Sequence, residues 1–160
     1  MKIFFTAIIS GLIFSVGVYT QEKKKPSDDL ELFQGYWNCI HEEAKGKMMT
    51  KDQLREHKKS LKVEVNKFTM TRIDMGKVGS YDGKFFLNQK SEPKTFDFTG
   101  KGPGGTPLEF MGIYEISTDN LKLIYSRGPV GDKNLKRPKS FKTSGSDPFI
   151  YVQFKKEKDD

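Results

Sequence analysis

Cysteine is almost missing from this sequence. Cys39 is the only one in 160 residues, so no intramolecular disulfide can form within the chain and its stability must come from packing. Cys39 lies in an apolar-flanked stretch, which predicts a small buried hydrophobic residue rather than a nucleophile or an intermolecular bridge. No cysteine ends the N-terminal apolar run, which excludes a lipid anchor on an N-terminal cysteine.

Histidine is nearly as scarce, with only His41 and His57 and no His-x-x-x-His spacing between them. The densest titratable cluster is His41-Glu42-Glu43, which we interpret as a strand end turned towards solvent. We therefore predict no metal site and no cofactor. Neither histidine belongs to a recognisable Ser-His-Asp or Cys-His set, so the sequence favours a non-catalytic protein without excluding an enzyme.

Long apolar runs are absent except for one, "IFFTAIISGLIFSVGVYT" at 3–20, which follows a positively charged start. This pattern predicts a signal peptide over 1–20 and export to the periplasm or outside the cell. The alternative is an N-terminal membrane anchor, because eighteen apolar residues just reach the length of a spanning helix. The polar stretch 21–29 is predicted to be a disordered leader, and 30–158 the folded domain.

A general excess of positive charge is also lacking once one loop is set aside. Without Lys2, 27 basic residues face 21 acidic ones, a net charge of +6. The segment 127–142 alone carries +5, which argues against a diffusely basic nucleic-acid binder. Its cations form a candidate surface for an anionic partner: Arg127, Lys133, Lys136, Arg137, Lys139 and Lys142.

The remaining sequence is rich in short segments in which apolar and polar residues alternate. Such alternation predicts β-strands with one face buried, and their short connections predict antiparallel neighbours. Eight strands in sequence predict an all-β fold, an eight-stranded antiparallel up-and-down barrel, with one short helix. The strands are predicted at "GYWNCIHEE", "SLKVEV", "FTMTRID", "GKFFLNQ", "KTFDFTG", "LEFMGIYEI", "NLKLIYS" and "PFIYVQFKK", with turns at Asn66-Lys67 and Asp82-Gly83 and a hairpin loop at "GKGPGGTP".

A helix is predicted within "MMTKDQLREHKK", where Thr50 and Gln53 have capping-box spacing. It is a candidate lid over one end of the barrel or a purely structural cover. At the other end, Gly35 allows a sharp bend or a close approach, and Trp37 is large enough to close the barrel. We interpret both residues as structural. The residues predicted to face the interior and to line a ligand site are Phe68, Met70, Phe86, Phe96, Phe98, Phe110 and Tyr125. Arg137 of the basic loop is a further predicted ligand contact.

The Gly-x-Trp pair in "LFQGYW" is similar to the opening of lipocalins. The ordered set "GIYEI" at 112–116, "NLKLIY" at 120–125 and "RPKSF" at 137–141 resembles a bacterial lipocalin-like family of unknown function. This resemblance implies a calyx-shaped barrel and no particular reaction. Lipocalins usually place an arginine of the last strand over the tryptophan. Here Lys155 or Lys156 occupies that strand, with Arg127 or Arg137 as alternatives.

These features together favour an exported, monomeric, lipocalin-like protein that binds a small apolar or amphipathic molecule without catalysis. The alternative is an interaction module that binds an anionic envelope component through 127–142. An eight-stranded barrel is just wide enough for either a filled core or one small ligand. The thirteen phenylalanines are numerous enough to fill it.

Overall fold

The computed structural model describes residues 28–158. The predicted signal peptide and all but the last two residues of the predicted leader therefore lie outside the described residues. Within 28–158, neither α-helix has the length and apolar character needed to cross a membrane.

The described residues form nine strands, all paired antiparallel, in which consecutive strands are neighbours from β3 onwards. β1 also pairs with β9, which closes eight strands into an up-and-down barrel and confirms the predicted fold class. The two-residue β2 pairs only with the last residues of β1, Glu43 and Ala44. The strands are β1 (Gly35–Ala44), β2 (Lys47–Met48), β3 (Ser60–Glu64), β4 (Lys67–Asp74), β5 (Lys77–Asn88), β6 (Thr95–Lys101), β7 (Pro107–Ile116), β8 (Asn120–Pro129) and β9 (Ile150–Lys156).

Two α-helices accompany the barrel, α1 (Asp29–Phe33) and α2 (Lys51–His57). α2 is the helix predicted from sequence, and Thr50 and Gln53 form its capping box. The five-residue α1 was not predicted. It begins within the last residues of the expected leader, where the Asp28 side chain accepts a hydrogen bond from the Leu30 N–H. That bond lowers the pKa of Asp28.

Aromatic side chains fill the barrel interior, as their alternation in the strands predicts. Phe98 and Phe110 have ring centroids 4.8 Å apart, and Phe68 lies 4.7 Å from Phe98. Six residues predicted to face inward are indeed buried: Phe68, Met70, Phe96, Phe98, Phe110 and Tyr125.

The predicted inward orientation of Phe86 is wrong. Phe86 is 61% exposed on the outer wall, whereas Phe85 is 3% exposed and belongs to the core. The cause is strand register: Tyr81 of β5 faces inward, so the period of two places Phe85 and Leu87 on the same face and Phe86 on the other.

The turns at the two ends of β4 also differ from those predicted. Asp82 and Gly83 lie inside β5, and the turn is at Met75-Gly76, where both residues have positive φ. Gly83 permits close strand approach, since a Cβ there would lie 2.6 Å from Gly100 Cα. The β3–β4 turn is Val65-Asn66 rather than Asn66-Lys67, and Val65 has a φ of +57°.

Trp37 closes one end of the barrel, as predicted. Its side chain is completely buried, and its Nε1–H donates a hydrogen bond of 2.8 Å to the Phe33 carbonyl of α1. Lys156 lies over the indole with Nζ 5.3 Å from the ring centroid, so the last-strand lysine provides the cation–aromatic contact. Gly35 has a φ of +102°, a conformation that favours glycine.

A second set of contacts holds α1 across this closed end. Asp29 is buried, and its Oδ2 accepts hydrogen bonds from Lys94 Nζ at 2.7 Å and from the Tyr114 hydroxyl at 2.8 Å. Burial, together with this bond to Asp29, raises the pKa of Tyr114. Phe33 packs edge-on against Tyr114 with centroids 5.2 Å apart. The closed end is thus sealed by both apolar and polar contacts.

The neighbouring residues Phe85 and Phe86 provide a matched test of which face of β5 points into the barrel. We expect Phe85→Ala to lower the free energy of unfolding by about 3–5 kcal/mol, because it leaves a cavity between aromatic rings. Phe86→Ala should change it by less than about 0.5 kcal/mol, because the ring lies in solvent. Urea unfolding of both variants measures the difference, and equal losses would contradict the orientation described here.

Candidate functional site at the open end of the barrel

We call the end of the barrel opposite Trp37, where β1 and β8 finish and β3 and β9 begin, the open end. A bulge in β1 determines which side chains of this strand reach it. Cys39 pairs with Phe154 and His41 with Gln153, so Ile40 is an extra residue without a partner in β9. Inward positions therefore change from odd to even numbers along β1, and Glu42 faces the interior.

The predicted solvent orientation of the His41-Glu42-Glu43 strand end is consequently wrong for Glu42. Its side chain is 5% exposed, and its Oε2 forms an ion pair of 2.6 Å with Lys59 Nζ. Lys59 is equally buried, at the inward position that precedes Leu61 and Val63 of β3. Burial acts to lower the pKa of Lys59, but Tyr125 and Glu42 outweigh it and raise that pKa, which keeps the ammonium charged.

Tyr125 lies within electrostatic reach of this ion pair. Its ring stacks on Phe110 with centroids 5.0 Å apart and an interplanar angle of 5°. Burial raises the pKa of its hydroxyl, and Lys59, Glu42, Arg127 and Tyr81 all act on the same group. The hydroxyl donates to Met70 Sδ at 3.9 Å, a weak acceptor for a buried phenol.

Arg127 and Tyr81 lie nearer the rim. Arg127 occupies the inward position of β8 that follows Tyr125, and its Nη1 donates to the Tyr81 hydroxyl at 2.6 Å. The guanidinium carbon lies 5.4 Å from the Tyr81 ring centroid, so hydrogen bonding and a cation–aromatic contact hold Arg127 at the mouth. Arg127 was predicted as part of an outer basic surface; it remains exposed, but it lies at the rim of the barrel against Tyr81.

Arg72 is a further inward residue that the sequence reasoning missed. It follows Met70 in the inward series of β4, and its Nη2 lies 3.3 Å from Asp74 Oδ2. Its Nε is buried and has no hydrogen-bond partner among the described residues. The alternation of β4 could have identified Arg72, because Phe68, Met70 and Arg72 share one face.

Arg137 does not reach the interior and is not positioned as a ligand contact. Its Nη1 donates to the carbonyls of Phe96 and Gly112, at 2.9 and 2.6 Å, and its Nη2 pairs with Asp97. Phe96 and Gly112 are partners in β6 and β7, so Arg137 lies across the outer seam of these strands. It fastens the basic segment to the barrel wall.

The β8–β9 connection that contains this segment folds back over the outer wall. Ile113 and Ile124 are paired, outward-facing residues of β7 and β8, yet both are buried. Beside them the Ser126 hydroxyl donates to the Lys136 carbonyl. The connection also forms a groove of about 500 Å³ whose lining includes Lys136, Arg137, Lys139, Lys142 and Phe149.

Cys39 has the surroundings of an unreactive thiol. It packs against the core, and its Sγ lies 3.3 Å from the backbone carbonyl of His41 rather than from an imidazole. Burial raises its pKa to about 11, so the thiol stays protonated near neutrality. Within 28–158 no three side chains of the His, Cys, Asp and Glu types are grouped to hold a metal ion.

The buried ion pair provides a direct test of the open-end architecture. We expect Glu42→Gln to lower the free energy of unfolding by about 3–5 kcal/mol, because Lys59 is left charged without a partner. Replacing both residues, Glu42→Leu with Lys59→Met, should recover stability to within about 1 kcal/mol of the parent. Thermal and urea unfolding measure both effects.

The matched control is the exposed pair of Glu115 and Lys122, whose separation is 2.8 Å. Glu115→Gln should reduce stability by less than about 1 kcal/mol, because solvent screens both charges. A Glu42→Gln variant as stable as this control would show that Glu42 is not enclosed by the barrel.

No protein-family model matches the chain, and no curated protein sequence matches it. The closed, eight-stranded antiparallel barrel with one sealed end is consistent with a lipocalin-like fold.

Proposed function

We propose that this protein binds a small amphipathic molecule, without catalysis, at the open end of its barrel. The observation that carries the proposal is the convergence of Glu42, Lys59, Tyr81, Tyr125 and Arg127 within a barrel whose other end is sealed. Binding sites in barrels are commonly formed at the mouth, where a few polar groups orient a ligand over an apolar floor. The stacked rings of Tyr125 and Phe110 form that floor here.

The packing of the lower interior restricts where a ligand can lie. Phe33, Phe68, Phe85, Phe98 and Phe110 form a continuous series of ring contacts, with centroid separations from 4.7 to 6.2 Å. Insertion of a ligand between these rings requires their displacement from a close-packed core. The ligand is therefore placed above Phe110 rather than against Trp37.

The rim of the open end offers apolar surface to the apolar part of the ligand. Four large apolar side chains near this end are more than half exposed: Met48, Met75, Val78 and Val130. An amphipathic ligand can place its polar group among the charged residues and its apolar part along this rim.

Two further proposals rest on the sequence alone. "LFQGYW", "GIYEI", "NLKLIY" and "RPKSF" support membership of the bacterial lipocalin-like family, and the run at 3–20 supports export. The barrel is compatible with both. Export would place the open end in contact with ligands outside the cytoplasm.

Uptake of a neutral, environment-sensitive fluorophore tests the proposed function. We expect fluorescence to increase on addition of the protein and to decrease when decanoate displaces the dye. Ala44→Trp should weaken uptake about tenfold or more, because Ala44 shares the inward face of β1 with Glu42 and an indole there would occupy the mouth. Phe86→Trp is the control, since it changes the outer wall. Equal uptake by both variants, or none by the parent, would contradict the proposal.

The second candidate function is binding of an anionic surface through the groove of the β8–β9 connection. It is favoured by the clustering of Lys136, Lys139 and Lys142 around that groove, all of them exposed. Charge of one sign concentrated at one place attracts anionic headgroups and is screened by salt. Arg137 instead stabilises the fold of the connection, since its guanidinium is bound to the barrel wall.

Vesicles of phosphatidylglycerol and phosphatidylcholine test this candidate. Lys139→Glu with Lys142→Glu should abolish sedimentation with the vesicles at low salt, because the local charge changes by four units. Lys77→Glu with Lys90→Glu is the control for the same change in net charge at distant exposed sites. If both double variants bind equally, the groove is not the contact.

A further inference from the structure

In the described part of the chain, the guanidinium of Arg72 has a buried hydrogen-bond donor without a partner. Its Nε is buried and makes no hydrogen bond, although buried donors in native proteins nearly always have a partner. Asp74 engages only the Nη2 end and is itself largely exposed. Arg72, whose side chain is 22% exposed, therefore has an Nε without a partner on the inward face of β4.

A second donor with a poor partner lies close to the same place. The Tyr125 hydroxyl is buried and has only Met70 Sδ, at 3.9 Å, as its acceptor. Met70 is the inward residue next to Arg72 along β4 and pairs with Tyr81 of β5. Tyr125, Met70, Arg72 and Tyr81 thus surround one region at the top of the aromatic floor.

The charge balance of this region is positive. Glu42 neutralises Lys59 through their 2.6 Å contact, which leaves Arg72 and Arg127 as the cations of the mouth. Arg127 is held by the neutral hydroxyl of Tyr81 rather than by a carboxylate. The Asp74 side chain that pairs with Arg72 is 59% exposed, so solvent weakens its compensation of the guanidinium charge. Guanidinium groups suit a planar or tetrahedral anion, because they present several N–H donors in fixed directions.

We propose that the open end recognises the acidic group, a carboxylate or a phosphate, of a small amphipathic molecule, with Arg72 and Arg127 as its cationic contacts. The hydroxyls of Tyr81 and Tyr125 are the neutral donors of the same region. The apolar part of the ligand then extends over the Tyr125–Phe110 floor towards the apolar rim. This inference rests on the proposed binding function and specifies its ligand class.

A series of ligands with one alkyl chain and different headgroups tests the inference. We expect decanoate or decyl phosphate to bind at least about tenfold more tightly than decanol in titration calorimetry, a difference of about 1.4 kcal/mol. The tighter of the two acids identifies the headgroup as carboxylate or phosphate. Equal binding of decanoate, decyl phosphate and decanol would overturn the acidic-group proposal while the binding function stands. Absence of binding for all three would overturn both.

Variants of the two arginines separate recognition from folding. Arg72→Gln should weaken binding of the acid about tenfold and leave binding of decanol unchanged. Its melting temperature should stay the same or rise, because the variant removes an unpartnered buried donor. Arg55→Gln on α2 is the control, since the Arg55 side chain is 81% exposed.

A purely structural role for Arg72 predicts the opposite pattern, in which the melting temperature falls and both ligands weaken alike. That result would overturn the assignment of Arg72. Arg127→Gln provides the second variant, because Arg127 lies at the rim and its loss leaves the core intact. Unchanged acid binding in Arg127→Gln would remove Arg127 from the site, and unchanged acid binding in both variants would overturn the proposal.

Discussion

The contact between Trp37 and α1 is the constraint on which the rest of the structure depends. The indole donates to Phe33 from beneath Lys156, so one side chain joins the first strand, the last strand and α1. This contact seals one end of a cylinder already closed by the pairing of β1 with β9. The ligand we propose therefore has only the opposite end at which to enter.

The bulge at Ile40 gives the open end its chemistry. One extra residue changes the inward positions of β1 from odd to even numbers. Trp37 therefore closes the sealed end, and Glu42 of the same strand points into the interior. Glu42 then holds Lys59 inside, beside the Tyr125 hydroxyl. Without the bulge, the even-numbered residues of β1 would remain on the outer wall and the buried ion pair could not form.

Features that follow a strict period were predictable from the sequence, and features set by register were not. The alternation of Phe68 and Met70 or of Phe96 and Phe98 determines their inward orientation without knowledge of any partner strand. Phe86 was assigned to the wrong face because either residue of the adjacent pair Phe85 and Phe86 can be the inward one. Only the pairing of β5 with its neighbouring strands decides between them. Glu42 was missed because a bulge leaves no clear signal in one sequence. Arg72 carries the alternation signal, but it was not read as a continuation of the inward series.

One measurement addresses the central claim, that a ligand enters opposite Trp37. In a ¹⁵N spectrum of the folded protein, the Nε–H signals of arginines and the indole N–H of the single tryptophan are recorded together. Decanoate is expected to shift the signals of Arg72 and Arg127 and to leave that of Trp37 unchanged. A shifted Trp37 signal with unperturbed arginines would place the ligand at the sealed end and contradict entry opposite Trp37.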